Sequence, residues 1–200
     1  MIKAVIFDLG GVYFTDGVKK LRKVLSSKYN ITEESAREVL EGRLGTDYRI
    51  GKITPEEFWA GAKKTWKINE SSIKLAQMWI KSYKPVKSTI NLIKRLRNAN
   101  YELLFLSDNA PDRVEYLQSK YRFIEKFDDG VFSHIANVRK PDMKIYKMVL
   151  KKTPSLPNEC IYIDDKLRFL EPAKKLGMKT IAFKNPKHLE AELKKLGIRI

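Results

Sequence analysis

A short, mostly apolar segment near the start of the chain, residues 3–7, leads directly into Asp8 and then into the glycine pair Gly10 and Gly11. Such a run is typical of a strand buried on both faces of a parallel sheet. Because open α/β sheets bind their ligands at the carboxyl ends of their strands, Asp8 is the first catalytic candidate. The glycines permit a turn that other residues resist and let a ligand approach the main chain. An aspartate that only starts a glycine turn fits this segment equally well, so the downstream sequence has to decide.

Length and composition restrict the class of protein. The 200 residues, 43% of them hydrophobic, suffice for one domain, with or without a sizeable insertion. No apolar stretch reaches the roughly 18 residues of a membrane span, and the first residues lack the pattern of a secretory signal, so we expect a cytoplasmic protein. The single cysteine, Cys160, excludes an intramolecular disulfide, and its neighbours predict a small buried side chain at a strand start.

The charge balance is strongly basic. Forty Lys and Arg residues against 24 Asp and Glu residues give a formal net charge of +16, which can attract nucleic acid, an anionic membrane or a polyanionic substrate. The lysines are spread along helix-like segments and are not gathered in one block with aromatic residues. This distribution favours a solvated surface that attracts anionic metabolites over a dedicated nucleic-acid surface, which stays open as the less favoured alternative. The sequence does not indicate an oligomeric state.

The segment from about residue 18 to about residue 83 shows helix patterns and no convincing strand. Thr32 is placed to start one helix, and the sequence Thr54-Pro55-Glu56-Glu57 combines an N-cap, an early proline and a carboxylate three residues later. We therefore predict a small helical module over residues 15–84, inserted into a domain made of residues 1–14 and 85–200.

The second half of the chain alternates between helix and strand patterns. Apolar runs predict strands over 102–106, around 131–132, over 160–163 and over 179–183, with helical periodicity between them. This alternation predicts an α/β fold, a Rossmann-like parallel sheet core with helices on both faces.

Polar side chains follow three of these strands at the same predicted edge of the sheet. They are Asp8, then Ser107 with Asp108 and Asn109, then Asp164 with Asp165, and the segment that starts at Lys140 returns to that edge. Converging carboxylates repel one another unless a cation lies between them. Magnesium accepts such oxygen ligands and leaves room for a substrate phosphate. Ser107 and Lys140 would then hold the other phosphoryl oxygens.

Four segments of the chain carry the polar residues described above, each in a recognisable setting. They are Phe7-Asp8-Leu9-Gly10-Gly11-Val12, Leu106-Ser107-Asp108-Asn109, Lys140-Pro141-Asp142-Met143-Lys144-Ile145-Tyr146 and Tyr162-Ile163-Asp164-Asp165. In this order they resemble the motifs of the haloacid dehalogenase-like hydrolases, a superfamily dominated by magnesium-dependent phosphatases, and the resemblance covers nearly the whole chain. The helical insertion lies where this family places a cap after its first motif, and residues 48–59 are similar to caps of the subgroup that contains sugar-phosphate phosphatases and the phosphatase domain of soluble epoxide hydrolases.

The resemblance implies a mechanism. Asp8 would attack phosphorus and form an aspartyl-phosphate, which water would hydrolyse. It also implies that Mg²⁺ is bound by Asp8, the carbonyl of Gly10 and Asp165, with Asp164 acting through water. Ser107 and Lys140 would stabilise the equatorial oxygens. The expected substrate-contacting set is Ser107, Asn109, Lys140, Gly10 and Gly11. The structural alternatives are that Asp108 only caps the next helix, which we favour, and that Lys140 is a solvated side chain.

Two positions depart from the family pattern. Most phosphatases of this family have a second aspartate two residues after the nucleophile, which protonates the leaving group, and here that position is Gly10. General acid–base catalysis contributes typically 10²- to 10⁴-fold, so we expect slow turnover or a good leaving group unless Asp16 or a cap residue replaces it. Phe169 stands where the related subgroup usually has an asparagine, which predicts weaker positioning of the metal loop.

Three functions therefore stay under consideration. The leading hypothesis is a phosphatase acting on a small phosphorylated metabolite. The second is a catalytically weak or inactive relative that binds a phosphorylated ligand or a macromolecule, because Gly10 cannot move a proton. The third and least favoured is a 2-haloacid dehalogenase, whose metal-free chemistry would leave Asp164 and Asp165 as unpaired carboxylates beside the nucleophile.

Overall fold

A parallel sheet of five strands forms the centre of the computed structural model, which describes all 200 residues. The strand order is β3-β2-β1-β4-β5, so β1 lies in the middle, between β2 and β4. All neighbouring pairs are parallel, and Phe7 at the end of β1 lies opposite Phe105 on one side and Ile163 on the other. The strands are β1 (Ala4–Phe7), β2 (Glu102–Ser107), β3 (Asp129–Phe132), β4 (Cys160–Asp164) and β5 (Lys179–Ala182).

Helices cover both faces of the sheet, because alternate residues of each strand point to opposite sides. On β1, Val5 and Phe7 belong to the larger hydrophobic cluster, whereas Ala4 and Ile6 belong to the smaller one on the opposite face. The predicted α/β class with helices on both faces is confirmed. The helices are α1 (Gly17–Tyr29), α2 (Glu33–Glu41), α3 (Arg43–Arg49), α4 (Pro55–Trp66), α5 (Ser72–Lys81), α6 (Lys87–Asn98), α7 (Pro111–Tyr121), α8 (Ser133–Ala136), α9 (Met143–Leu150), α10 (Leu167–Lys175) and α11 (Pro186–Lys195), with short 3-10 helices at Ile124–Lys126 and Pro157–Glu159.

Helices α1–α5 form the helical insertion between β1 and α6. The predicted starts are confirmed, since the Thr32 hydroxyl accepts from the backbone N–H of Ser35, and Thr54 and Glu57 form a reciprocal capping box. The insertion packs around aromatic side chains, including Tyr48 stacked on Phe58 at 4.4 Å between ring centroids. The pattern analysis does not predict α3, a seven-residue helix with a glycine at position 45. A helix this short depends on packing more than on its own propensity.

The chain enters and leaves the helical insertion through two adjacent segments. Phe14 and Pro85 form an antiparallel bridge, and the backbone N–H of Thr15 donates to the carbonyl of Lys84 at 2.9 Å. The predicted borders at 14/15 and 84/85 fall within this pair of segments. The division into two domains at these borders stays a prediction.

Two further expectations concern the single cysteine and membrane-spanning segments. Cys160 is buried at the start of β4, as its neighbours predict. None of the helices combines the length and the apolar character that crossing a bilayer would require.

Candidate active site

Asp8 follows the central strand β1 and lies at the carboxyl edge of the sheet. Its backbone N–H donates to the carbonyl of Ile163 at 2.8 Å, which continues the pairing with β4, and its side chain is buried. The neighbouring strands β2 and β4 end beside it in Ser107 and Asp164. The convergence of these strand ends, predicted from the sequence, therefore follows directly from the strand order.

Lys140 places its ammonium group between two of these carboxylates. Nζ lies 2.7 Å from Asp8 Oδ1 and 2.7 Å from Asp164 Oδ2, and it lies 4.9 Å from the ring centre of Phe169. The residue is only 2% exposed. The alternative of a solvated lysine is therefore wrong. One buried cation offsets part of the repulsion between Asp8 and Asp164 and fixes their positions.

Asp164 has partners on both carboxylate oxygens. Oδ2 accepts from the Tyr162 hydroxyl at 2.5 Å as well as from Lys140, and Oδ1 accepts from the backbone N–H of Lys166 at 2.8 Å. Sequence reasoning missed Tyr162. The signal was a hydroxyl two residues before Asp164 in an otherwise apolar strand, because this spacing places both side chains on the same face of the sheet.

Asp165 lies directly against Gly11. A Cβ atom on Gly11 would be 2.6 Å from Asp165 Oδ2, and Gly11 has φ +100°, so this position requires glycine both for its backbone and for the close approach. The Lys166 ammonium lies 3.2 Å from Asp165 Oδ1. Carboxylate oxygens of Asp8, Asp164 and Asp165 lie within 4.8 Å of one another.

The electrostatics of this cluster favour a cation. Burial is the largest cause that raises the pKa of Asp8, and the charges of Asp164 and Asp165 add to it, whereas Lys140 and Lys166 lower it; the net result is a pKa of about 7. Burial also raises the pKa of Asp165, against the lowering effect of Lys166. Lys140 and Lys166 compensate the repulsion among these three carboxylates only in part, and three hard oxygen ligands of this kind fit a divalent cation such as Mg²⁺. The predicted ligands Asp8, Asp164 and Asp165 are therefore brought together.

Asp108 does not cap the helix that follows it, so this favoured interpretation is wrong. Helix α7 starts after Ala110 without a side-chain cap. The carboxylate of Asp108 instead accepts from Arg139 Nε and from the backbone N–H of Lys140, each at 3.0 Å. Arg139 also donates to the Thr46 hydroxyl at 2.8 Å, so it joins this segment to helix α3 of the insertion.

A cleft opens above Asp8, between the sheet edge and the helical insertion. Asp8, Gly10 and Lys140 line it, whereas Ser107 and Asn109 are buried residues outside its lining. The side-chain oxygen of Asn109 accepts from the backbone N–H of Ala110 at 3.2 Å.

Position 10 is spacious for a side chain. A Cβ atom there would meet only Tyr83 Cε1, at 3.6 Å, and Gly10 is not in the left-handed region. Asp16, the proposed replacement for an acid at this position, lines the cleft and caps α1 by accepting from the backbone N–H of Lys19 at 2.9 Å.

A comparison with protein families decides the membership of this chain. The family model of the haloacid dehalogenase-like hydrolases matches residues 5–183. The chain belongs to this family.

Individual relatives of this haloacid dehalogenase-like hydrolase include named phosphatases. It is 22% identical to a glyceraldehyde 3-phosphate phosphatase of Methanocaldococcus jannaschii, over 96% of this chain and 89% of that protein. It is 25% identical to the sesquiterpene phosphatase astK of Aspergillus oryzae, over 88% of this chain and 87% of that protein.

A solved structure agrees with this assignment of the fold. The enzyme bt-2542 of Bacteroides thetaiotaomicron, crystallised with magnesium and inorganic phosphate, superposes with a TM-score of 0.75 at 25% identity, over 94% of this chain and 99% of that chain. The resemblance expected from the four motifs is therefore confirmed at the level of the family and its fold.

Proposed function

We propose that this protein is a magnesium-dependent phosphatase that hydrolyses a small phosphorylated metabolite through an aspartyl-phosphate on Asp8. The observation that carries the proposal is the position of Lys140, buried between Asp8 and Asp164 at 2.7 Å from each. A lysine held there presents a compact positive charge beside the nucleophile. A phosphoryl group that approaches Asp8 would meet this charge, which stabilises its equatorial oxygens.

The metal requirement of the proposal fits the residues present. Mg²⁺ would be held by Asp8, Asp165 and the carbonyl of Gly10, with Asp164 outside direct contact because its oxygens already accept from Tyr162, Lys140 and Lys166. When bound, the metal would neutralise charge and orient the phosphate. The bt-2542 structure in complex with magnesium and inorganic phosphate supports this assignment.

The protein itself would supply nucleophile, orientation and charge. Asp8 would attack phosphorus in line, and Ser107, which ends β2 beside it, would donate a hydrogen bond to a phosphoryl oxygen. Asn109 and the backbone of Gly10 and Gly11 complete the proposed set of substrate contacts. Lys140 is held by Asp108 through its backbone N–H, so its approach angle is fixed before substrate binds.

The test uses hydrolysis of an aryl phosphate with and without Mg²⁺. We expect Asp8→Asn, which preserves the shape of the side chain, to abolish turnover, and chelation to abolish it reversibly in the unchanged protein. The control Asp129→Asn removes an exposed carboxylate at the start of β3 and should retain full activity. Thermal unfolding checks that each variant is folded.

Retained turnover in Asp8→Asn would contradict the nucleophile assignment. Undiminished activity in chelator, together with chloride release from a 2-haloacid, would favour the dehalogenase alternative. Folded protein that binds phosphate but turns over no aryl phosphate would favour the non-catalytic alternative.

A further inference from the structure

The cleft above Asp8 contains more positive charge than one phosphoryl group requires. Besides Lys140, the basic side chains in its lining include three that form no ion pair within the protein. Two of them, Lys19 on α1 and Arg168 on α10, are exposed residues of the cleft lining. The third, Arg49 at the end of α3, is 4% exposed.

Arg49 is a buried cation without a carboxylate partner. Its Nη1 donates to the carbonyls of Leu40 and Gly45, at 2.5 Å and 3.0 Å, and its guanidinium lies 5.3 Å from a ring centre of Trp79. Carbonyl dipoles and an aromatic face compensate a buried charge only in part. Such a group gains from any anion that enters the cleft.

The charged groups around Arg49 also favour the binding of an anion beside it. Burial, together with the positive charges of Arg139 and Arg113, lowers the pKa of Arg49 to about 10, although the charge of Asp108 opposes this shift. The side chain is therefore still a cation at neutral pH, but it lies beside two other cations. Asp108, the carboxylate whose charge acts on Arg49, is already bonded to Arg139 Nε at 3.0 Å.

The other carboxylates of the cleft wall are also engaged. Glu41 pairs with Arg22 at 3.4 Å, and Asp16 caps helix α1. The protein thus leaves Arg49, and at the cleft mouth Lys19 and Arg168, for a ligand.

In the proposed reaction the leaving group would lie on the side of the cleft that faces Arg49. In-line displacement puts the attacking and leaving oxygens on opposite sides of phosphorus. With Asp8 at the sheet edge, the leaving part of the substrate points away from the sheet, toward the helical insertion that carries Arg49.

We infer that the substrate is a phosphate monoester whose leaving part carries a second anionic group, a carboxylate or a second phosphate, bound by Arg49. This inference rests on the proposed phosphatase function and assigns its substrate class. Arg168 and Lys19 strengthen the attraction at the cleft mouth. A guanidinium suits either anion, because its planar donors match carboxylate and phosphate oxygens.

The composition of the cleft disfavours an apolar substrate. Of its fifteen lining residues, three are hydrophobic, namely Val18, Tyr83 and Phe169. Sites for extended apolar ligands are lined mostly by hydrophobic side chains. A terpenoid phosphate would therefore meet charged groups along most of its length.

The experiment compares three substrates of equal chain length, which are glycerol 3-phosphate, 3-phosphoglycerate and glycerol 1,3-bisphosphate. We expect kcat/KM to be about tenfold higher or more for at least one doubly anionic substrate than for glycerol 3-phosphate, since binding energy away from phosphorus stabilises the transition state. The two doubly anionic substrates distinguish a carboxylate from a second phosphate.

Three variants test which side chain is responsible for the preference for a doubly anionic substrate. Arg49→Met should lower kcat/KM for the preferred substrate by about tenfold or more and change that for glycerol 3-phosphate by less than about threefold. Arg49 also binds two backbone carbonyls, so its replacement can disturb the fold, and Arg168→Ala provides a second variant at an exposed position. In this variant the ratio of kcat/KM for the preferred substrate to kcat/KM for glycerol 3-phosphate should fall by about twofold to fivefold. Lys175→Ala, an exposed lysine on the same helix α10 but outside the cleft lining, should leave the preference unchanged.

The outcomes separate the inference from the proposed function. Aryl phosphate hydrolysis with equal kcat/KM for all three substrates would overturn the inference and leave the phosphatase proposal standing. A folded Arg49→Met protein that loses kcat/KM equally for all three substrates would also overturn it. If Arg49→Met does not fold, an Arg168→Ala protein whose preference for the doubly anionic substrate is unchanged would overturn it instead. Absence of hydrolysis for every substrate, aryl phosphate included, would overturn the phosphatase proposal and with it the inference.

Discussion

Replacement of Gly11 by alanine tests whether the close contact between Gly11 and Asp165 organises the metal site. Gly11 has φ +100°, and an added Cβ would lie 2.6 Å from Oδ2 and 2.8 Å from Cγ of Asp165. Nonbonded carbon and oxygen atoms do not approach this closely, so either the turn or the Asp165 carboxylate has to move. We expect both stability and metal binding to change.

The expected magnitudes follow from these two effects. A residue with a side chain in such a backbone conformation costs about 1–3 kcal/mol. For a chain of this size about 1 kcal/mol corresponds to about 2–4 °C, so a loss of about 2 kcal/mol would lower Tm by about 4–8 °C. Displacement of Asp165 should raise the Mg²⁺ concentration for half-maximal activity by about 10- to 100-fold.

The neighbouring glycine supplies the matched control. Gly10 is outside the left-handed region, and its Cβ would meet only Tyr83 Cε1 at an ordinary 3.6 Å. Gly10→Ala should therefore leave the free energy of unfolding unchanged or raise it by about 0.5 kcal/mol, because alanine restricts the unfolded chain. Its Mg²⁺ requirement should be that of the unchanged protein, since the Gly10 carbonyl is retained.

The assays are thermal unfolding in chelator and a Mg²⁺ titration of aryl phosphate hydrolysis. Equal Tm and equal Mg²⁺ requirement in Gly11→Ala and Gly10→Ala would refute the reasoning. If Gly11→Ala loses stability but keeps its Mg²⁺ requirement, the backbone strain at Gly11 would be supported, and Asp165 would not be a metal ligand.

Two further predictions concern position 10 and the helical insertion. The protein should hydrolyse aryl phosphates far faster than alkyl phosphates, because only alkyl leaving groups need a general acid, whose help is worth typically 10²- to 10⁴-fold. Gly10→Asp should lower the ratio of the aryl to the alkyl phosphate rate. A ratio near one in the unchanged protein would show that another group already supplies the proton. Glu70 accepts from Lys74 at 2.7 Å and from Tyr29 at 2.6 Å, and these bonds, with that from Lys74 largest, lower its pKa to about 2. A lowered pKa means that its contribution to stability is complete above the ordinary value of 4.5 and is lost as pH falls toward 2, so the Tm difference between unchanged protein and Glu70→Gln should shrink on acidification; a constant difference would contradict this assignment.

Local sequence patterns were enough to predict the framework of the fold. The apolar run before Asp8 predicted a buried strand because such a pattern is stable only when both faces are covered. Thr32 and Thr54 marked helix starts because a cap is a contact over three residues, which the sequence displays directly. Parallel strands joined by helices then had to bring Asp8, Ser107 and Asp164 to one edge.

Local patterns failed where a distant group competed for the same side chain. Asp108 had the position of a helix cap, yet Arg139 and the backbone N–H of Lys140 bind its carboxylate. Arg139 brings a full positive charge to this carboxylate, whereas a helix start offers only neutral N–H groups, so the distant partner outweighs the local cap. This competitor was visible in the sequence only as one of 40 basic residues.

The sequence by itself therefore determined the strand and helix pattern, the family motifs and the edge of the sheet at which the acidic residues meet. Tertiary structure alone decided the partners within the site, because these are separated widely along the chain. Lys140 and Asp8 are 132 positions apart, and Arg139 and Thr46 are 93 positions apart. Burial also belongs to the tertiary structure. Arg49 is one arginine among many in the sequence, and it becomes a candidate for anion binding only because folding removes it from water without providing a carboxylate.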